Sequence, residues 1–298
     1  MAISQDKITE IFFNIDEFCQ QLDQLIEASS IGNPPKRKPK MSHSEIMTIM
    51  VLFHLKGFRD MKTFYNSYVL VHMKSEFPET VSYNRFTELM QKACLPLVLF
   101  LKHCCMGEGT GIAFIDSTPI RVCKNKRIFN HKTFDGIAAK GKSTMGWFYG
   151  FKLHLVVNDR GELLSFMITP GNVDDREPLK KESFINSLQG KLFADKGYIS
   201  KTLSELLFGN GIHLFTGIRR NMKNCLMSFN DKILLRKRSV IETINDQLKN
   251  ICQVEHSRHR SFGNFISNLV AGLVAYSFFE KKPSIKFETE NTGQMAIF

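Results

Sequence analysis

Apolar residues recur at helical spacing through the first hundred positions and then change to alternation. Between Lys7 and Ala28, residues Ile8, Ile11, Phe12, Ile15, Phe18, Leu22 and Leu25 fall on one side of a helix. A basic, Pro-rich stretch from Gly32 to Lys40 cannot continue that helix and reads as a linker, either touching phosphate or simply solvated. Ser42 and Glu45 then have capping-box spacing, which predicts a second helix running to about Lys56 and stopping at Gly57. A third helix starts near Asp60, and Ser82 caps a fourth that opens with Tyr83, Asn84 and Arg85. Short helices with polar residues at the head of the last suit a helix-turn-helix facing the DNA major groove. They suit a supporting helical bundle nearly as well.

After Gly107 the pattern becomes that of strands. "GIAFIDST" reads as a buried strand that Ser117, Thr118 and Pro119 bring to an end. In "GFKLHLVVND", Phe151, Leu153, Leu155 and Val157 alternate with Lys152 and His154, and "LLSFMITPG" follows after a tight turn. These three predict an antiparallel sheet. Helix, strand, helix, strand and a long helix follow: "VDDREPLKKESFINSLQ", "KLFADKGY", "SKTLSELLFGNG", "IHLFTGI" and Lys237 to about Cys252. A last helix covers Phe262 to Phe279, and the residues from Lys282 are polar and expected to fray. The fold class expected is α/β, a mixed sheet flanked by helices and preceded by an all-helical region. The boundaries are 1–106, 107–281 and a tail, 282–298.

Composition narrows the function. Lys and Arg number 40 against 29 Asp and Glu, a net charge of +11 that favours a polyanionic partner, above all nucleic acid. The seven cysteines are scattered and odd in number, which argues for a reduced compartment and against a disulfide framework or structural zinc site. No secretory signal and no apolar run long enough for a membrane span are visible, so a cytoplasmic, nucleoid-associated protein is expected.

The chemistry is carried by acids. Ala113, Phe114 and Ile115 run into Asp116, and Leu192, Phe193 and Ala194 run into Asp195. If the two strands are parallel neighbours, both carboxylates emerge at one sheet edge, where ligands of open α/β sheets bind. On the long helix, Val240, Ile244, Leu248 and Ile251 form the buried stripe; Arg238, Glu242, Asn245 and Lys249 lie opposite, so Glu242 can face the aspartates. Converging carboxylates repel unless a cation neutralises them. Hard divalent ions do so, and two ions about 4 Å apart support in-line phosphoryl displacement. Taken singly, each acid has a plainer reading: Asp116 and Asp195 as turn formers, Glu242 as a partner of Arg238, and Asp174 and Asp175 as helix caps.

Basic residues surround these positions. Arg121, Lys124, Lys126, Arg127, His131 and Lys132 follow Asp116; Lys152 lies on the second strand; Arg219, Arg220 and Lys223, then Lys232, Arg236, Lys237 and Arg238, then Arg258 and Arg260 come later. If about six contact DNA phosphates, affinity falls several hundred-fold or more between about 50 and 200 mM salt. Trp147, the only tryptophan, reads as a sheet-packing residue in preference to a platform for an unpaired base.

Together, "FIDSTPI", "GWFYGFKLHL", "TPGNVDDREPL", "ADKGY" and "RSVIETINDQLK" resemble the DDE transposases of bacterial insertion sequences. The likeness spans Gly107 to about Cys252 and implies an RNase H-like catalytic fold. It maps the catalytic, metal-binding acids onto Asp116, Asp195 and Glu242. The resemblance also implies two Mg²⁺ ions, with Mn²⁺ as a substitute. Partners implied are double-stranded DNA, both element ends and target, and a homodimer or larger synaptic complex. Arg238, Glu242 and Lys249 fit a tyrosine–arginine–glutamate–lysine helix signature, in which Leu235 replaces the tyrosine. The resemblance implies DNA contacts for Arg238 and Lys249, and the surrounding Arg127, Lys132, Lys152, Arg219 and Arg220 extend that surface. The helix, strand and helix expected between Asp195 and Glu242 leave no room for a large inserted domain. The expected function is metal-dependent cleavage of element ends with strand transfer. A nuclease that cuts without joining, and a DNA-binding regulator with an inactive catalytic domain, remain open from the residues alone.

Overall fold

The computed structural model describes residues 3–29, 39–222, 227–255 and 259–285. Most of the basic linker, Lys223, Cys225, Arg258 and everything beyond Ile285 lie outside them. The chain opens with α1 (Gln5–Ser29) and α2 (His43–Lys56). α2 starts where the capping box requires: the Ser42 hydroxyl accepts from the Glu45 N–H at 3.1 Å, and the Glu45 carboxylate accepts from the Ser42 N–H at 2.7 Å. It stops at Gly57, whose φ of +72° is left-handed. α1 buries Ile8, Ile11 and Ile15, but Leu25 is 69% exposed. Between Gln20 and Glu27 only Leu22 is even half-buried, so the core-facing stripe ends well before the helix does.

A third helical segment combines α3 (Met61–Thr63), a π-helical turn (Phe64–Val69) and α4 (Leu70–His72), capped by Asp60, which accepts from the Thr63 N–H at 2.8 Å. α5 (Tyr83–Lys92) and α6 (Cys94–Cys104) complete the amino-terminal helices. Pro96 fits α6 because it lies in the first turn, where no i−4 hydrogen bond is lost. The link from α4 to α5 covers residues 73–82, longer than the tight turn of a helix-turn-helix.

The rest of the chain comprises β1 (Ile112–Cys123), β2 (Ala139–Ser143), β3 (Gly146–Asn158), β4 (Leu163–Pro170), α7 (Glu182–Ile185), β5 (Gly190–Ala194), α8 (Lys201–Gly209), β6 (Ile212–Thr216), α9 (Phe229–Lys237), α10 (Ser239–Asp246) and α11 (Phe262–Ser277). The sheet order is β2-β3-β1-β5-β6, with β4 also paired to β3. Leaving β2 aside, β4-β3-β1 are antiparallel and β1-β5-β6 parallel, the RNase H-like mixed sheet that was expected.

Several expectations are corrected. β1 does not end at Ser117–Pro119 but continues to Cys123, with Pro119 opposite Lys152 of β3. β5 pairs with β1 only as far as Phe114, so beyond that rung Pro119 has an open edge that needs no donor. The helix expected after Val173 is reduced to the 3₁₀ turn Pro178–Lys180 and the four-residue α7. Asp174 spends its carboxylate on the backbone and side chain of Arg176, at 2.9, 2.8 and 2.6 Å, and closes a turn there. The long helix begins earlier than expected, breaks at Arg238 and ends in a π-helical turn, Gln247–Ile251. The i→i+5 turn shifts the phase of the stripe, so Ile251 is 40% exposed. Lys282–Ile285 is not frayed: the Ile285 N–H donates to the Asp159 carbonyl at 2.8 Å.

The sheet buries both faces. One is covered by α8 and the turns around α7, through Ile115, Leu192, Leu203 and Phe184. The other, with Phe114, Phe151, Leu153, Leu155 and Phe193, joins α10, α11 and the amino-terminal helices in one hydrophobic cluster. α11 is apolar nearly all round, and Leu269, Val270, Leu273 and Val274 are all 0% exposed. Among the described residues no helix is long and apolar enough to cross a membrane. Across the parallel strands, Phe114 stacks on Phe193 at 5.5 Å and Phe193 on Phe215 at 5.1 Å. Phe193→Ala is expected to cost about 3–5 kcal/mol, and Phe193→Leu much less, measured by urea denaturation followed by circular dichroism.

Candidate active site

The last shared rung of β1 and β5 is Phe114 opposite Phe193. Asp116 and Asp195 each lie two residues further on, so they are level on adjacent strands and on the face the two rings share. Asp195 is also a turn former: its Oδ1 accepts from the Gly197 N–H at 2.7 Å, capping a 3₁₀ turn over Lys196–Tyr198. The other oxygen remains for a ligand. A side chain at Gly197 would meet Asp195 Oδ1 at 2.9 Å, so glycine keeps the carboxylate in place.

α10 lies against β1 on this side. Asn245 Nδ2 donates to Asp116 Oδ2 at 3.0 Å. The helical phase places Asn245 with Glu242 opposite the buried stripe, and it is only 6% exposed because β1 covers that side of α10 as the core covers the other. Glu242 is three residues earlier on the same surface, and all three acids line one cleft of about 1120 Å³ with Asn245, Arg238 and Lys249. The site is not drawn tight. Glu242 is bonded to Arg238 at 2.7 Å, and among the described residues no three acidic, histidine or cysteine side chains are gathered as a metal-ligand set.

Asp116 shows the strain of the arrangement. Burial raises its pKa to about 6, the Arg238 charge and the Ser117 N–H oppose that rise, and Asp195 and Glu242 add to it. The Oδ1 of Asn245 is buried without a donor in the same cleft. A half-buried carboxylate repelled by two others, beside an orphaned amide oxygen, is an oxygen donor set suited to a hard divalent cation.

The predicted cations divide. Arg238, Lys249 and Lys152 line the cleft; Arg127, Lys132, Arg219 and Arg220 do not. Each of the first three is held by an acid: Arg238 by Glu242, Lys249 by Glu255 at 3.6 Å, and Lys152 by Asp175 at 2.8 Å. Lys152 also donates to the Val173 carbonyl at 2.8 Å. Asp175 is therefore an ion-pair partner in the cleft, not a helix cap. Burial lowers the Lys249 pKa, and Glu255 acts against that. Arg219 is exposed but reaches the turn after Asp195, donating to the Lys196 carbonyl at 3.3 Å. Arg127 lines an adjoining groove of about 850 Å³ that shares Arg121 and Glu255 with the cleft; Lys132 and Arg220 are exposed elsewhere. Sequence reasoning missed Glu255, which also accepts from the Arg121 N–H at 2.8 Å, since nothing in "VEHS" marks it. Trp147, expected to pack on the sheet, is 61% exposed.

The Transposase DDE domain family matches residues 106–262, more than half of the chain. The chain belongs to this family, whose members cleave DNA and transfer strands and whose catalytic domains are generally dependent on divalent metals. The fold is similar to the cryo-EM structure of a piggyBac transposase synaptic complex with hairpin DNA, at 10% identity and a TM-score of 0.49, covering 90% of this chain and 72% of that one. A similarity to the crystal structure of the Mos1 strand transfer complex has 9% identity and a TM-score of 0.24, covering 88% and 84%. No curated protein matches.

The Asp116 pKa has a consequence for stability. A carboxyl whose folded value, about 6, exceeds its ordinary 3.8 stabilises the fold below the lower value and loses that contribution as pH rises through the upper one. Without divalent metal at about pH 7, Asp116→Asn is expected to be more stable than the parent by about 1–2 kcal/mol, after allowance for partial solvent screening. The gain should vanish near about pH 4, as denaturant midpoints at the two pH values will show.

Proposed function

We propose that this cleft carries out metal-dependent cleavage of insertion-element ends and joining of the freed strand to target DNA. The observation that carries the reading is the level placement of Asp116 and Asp195 on adjacent parallel strands, with Glu242 lining the same cleft. Asp116 and Asp195 would hold Mg²⁺, with Mn²⁺ as a substitute, and Glu242 would complete a site for two ions. When bound, such ions lower the pKa of an attacking water or 3′-hydroxyl and neutralise charge on the phosphoryl group.

The chain's own residues prepare that site. Asn245 fixes the Asp116 carboxylate through its amide N–H, and the Gly197 N–H fixes Asp195. Glu242 leaves Arg238 to join the aspartates, and this frees a guanidinium beside the cleft for a phosphate oxygen. Lys249 and Lys152 meet DNA on the same terms, by exchanging Glu255 and Asp175 for phosphate. Arg127, Lys132, Arg219 and Arg220 contribute from farther out as solvent-exposed positive charge. The amino-terminal region, 1–106, would bind DNA through exposed Asn84 and Arg85 at the start of α5. A homodimer or larger synaptic assembly would bring two element ends together, and the place of action would be the cytoplasm, at the nucleoid.

The test is incubation with candidate element ends, with Mg²⁺ or with EDTA, mapping every cut and joined strand. Asp116→Asn, Asp195→Asn and Glu242→Gln should each lower cleavage by more than about 100-fold and leave DNA binding intact. Unchanged cleavage in any of them overturns its assignment. Cleavage without joining, when pre-cut ends are supplied, would make the protein a nuclease.

Arg238→Gln isolates the phosphate contact. It should weaken binding similarly across DNA sequences and reduce the salt slope by about one, read from titrations at several salt concentrations.

A further inference from the structure

The β2–β3 hairpin is a two-stranded arm. β1 pairs with β3 from Asn158 only to Tyr149, so residues 146–148 are paired by β2 alone. The two faces of the arm differ. On the inner face Phe148 is 1% exposed and lies opposite Gly141, where a Cβ would meet the Gly171 carbonyl oxygen. On the outer face Lys142 lies opposite Trp147, with its ammonium 5.9 Å from the ring centroid. Lys140, two residues along β2, stands 5.4 Å from the ring of Phe129. Trp147 is 61%, Met145 at the tip 84% and Phe129 91% exposed. Keeping three large apolar side chains in water is costly for a free surface, and here they are interleaved with lysines.

This arm borders the catalytic cleft. Met145 and Lys142 line that cleft with Asp116, while Trp147 lines the two grooves that adjoin it. One of these shares Lys142, Lys152 and Asp175 with the cleft, and the other shares Arg121 and Glu255. From Arg121 to Lys152 the sequence has eight Lys or Arg and a single acid, Asp135. The surround is therefore polyanion-seeking, and the exposed rings offer what a phosphate backbone alone does not need.

We propose that Trp147, supported by Lys142 and by the Lys140–Phe129 pair, is a stacking platform for an unpaired base of the DNA held in the cleft. The inference deepens the DNA-processing reading and rests on it. Rings and cations in one groove are the physical recipe for single-strand binding: the base stacks and the ammonium groups follow the backbone. Trp147 is eight residues along β3 from Leu155, the partner of Asp116. That is a contour of about 26 Å, equal to about eight base steps. The base involved should lie within that distance of the scissile phosphate.

The sole tryptophan makes the test direct. The full chain, in EDTA, is titrated with an oligothymidylate, with a blunt duplex, and with the same duplex carrying a single-stranded extension. Tryptophan emission should be quenched by the oligothymidylate and by the extended duplex, and far less by the blunt one. Asp116→Asn should show the same quenching, so a failure of the catalytic assignment would leave this result standing. By anisotropy of a labelled oligothymidylate, Trp147→Ala should bind about 5- to 100-fold more weakly, and Trp147→Phe nearly as the parent. An exposed position of this kind is replaceable without unfolding the chain, and circular dichroism will verify it. Emission unmoved by single strands, an equal response to blunt duplex, or unchanged affinity in Trp147→Ala overturns the proposal. So does emission that shifts with protein concentration alone, which would mark the arm as a contact between copies of the chain.

Discussion

The register between β1 and β5 is the constraint on which the candidate chemistry depends. Parallel pairing is held for only three rungs, Ile112–Lys191 to Phe114–Phe193, and the stacked rings of Phe114, Phe193 and Phe215 bind it across three strands. Two residues later the same alternation delivers Asp116 and Asp195 side by side. A slip of one residue would turn one carboxylate to the opposite face, among Ile115, Leu192 and Ala194. The aromatic ladder thus does more than fill the core. It converts two distant stretches of sequence into one pair of acids.

The electrostatics of the cleft follow a single pattern. Three of the cations that line the cleft with Asp116 each have an acid of their own: Arg238 has Glu242, Lys249 has Glu255 and Lys152 has Asp175. These pairs are partly exposed, so each is worth little to the fold. Their effect is on the state of the groove. On the proposed reading, phosphate would have to replace a carboxylate at each of these three cations, so that DNA entry there would be an exchange of partners. At Arg238 that exchange would be linked to the site itself, because the displaced carboxylate would be Glu242.

Much of this was legible along the chain. The capping box at Ser42 and Glu45, the three antiparallel strands followed by two alternating with helices, and the apolar runs into Asp116 and Asp195 all follow from local chemistry, although Asp116 lies within β1 and not at its end, and β2 was not read. What was not legible depends on neighbours. Asn245 was placed opposite the core stripe without a role of its own, and it is the buried partner of Asp116 because β1 lies across that side of α10. Ile251 looked buried and was turned outward by a π-helical turn that no periodicity announces. Pro119 looked like a strand terminator, because only the finished sheet shows that its edge is open. Trp147 looked like a sheet-packing residue for want of any sign that β3 extends past β1 into an arm.

α11 ties the molecule together in a way that bears on how it can be taken apart. Its Ser267 hydroxyl donates to the Met90 carbonyl at 3.1 Å, and its Tyr276 hydroxyl donates to the Gly161 carbonyl at 2.7 Å. One helix is thereby anchored to α5 on one flank and to the β3–β4 turn on the other. The leading helices are not a detachable cassette: a chimera that exchanged them would have to reproduce the contour of α11, or leave an oily helix bare to solvent.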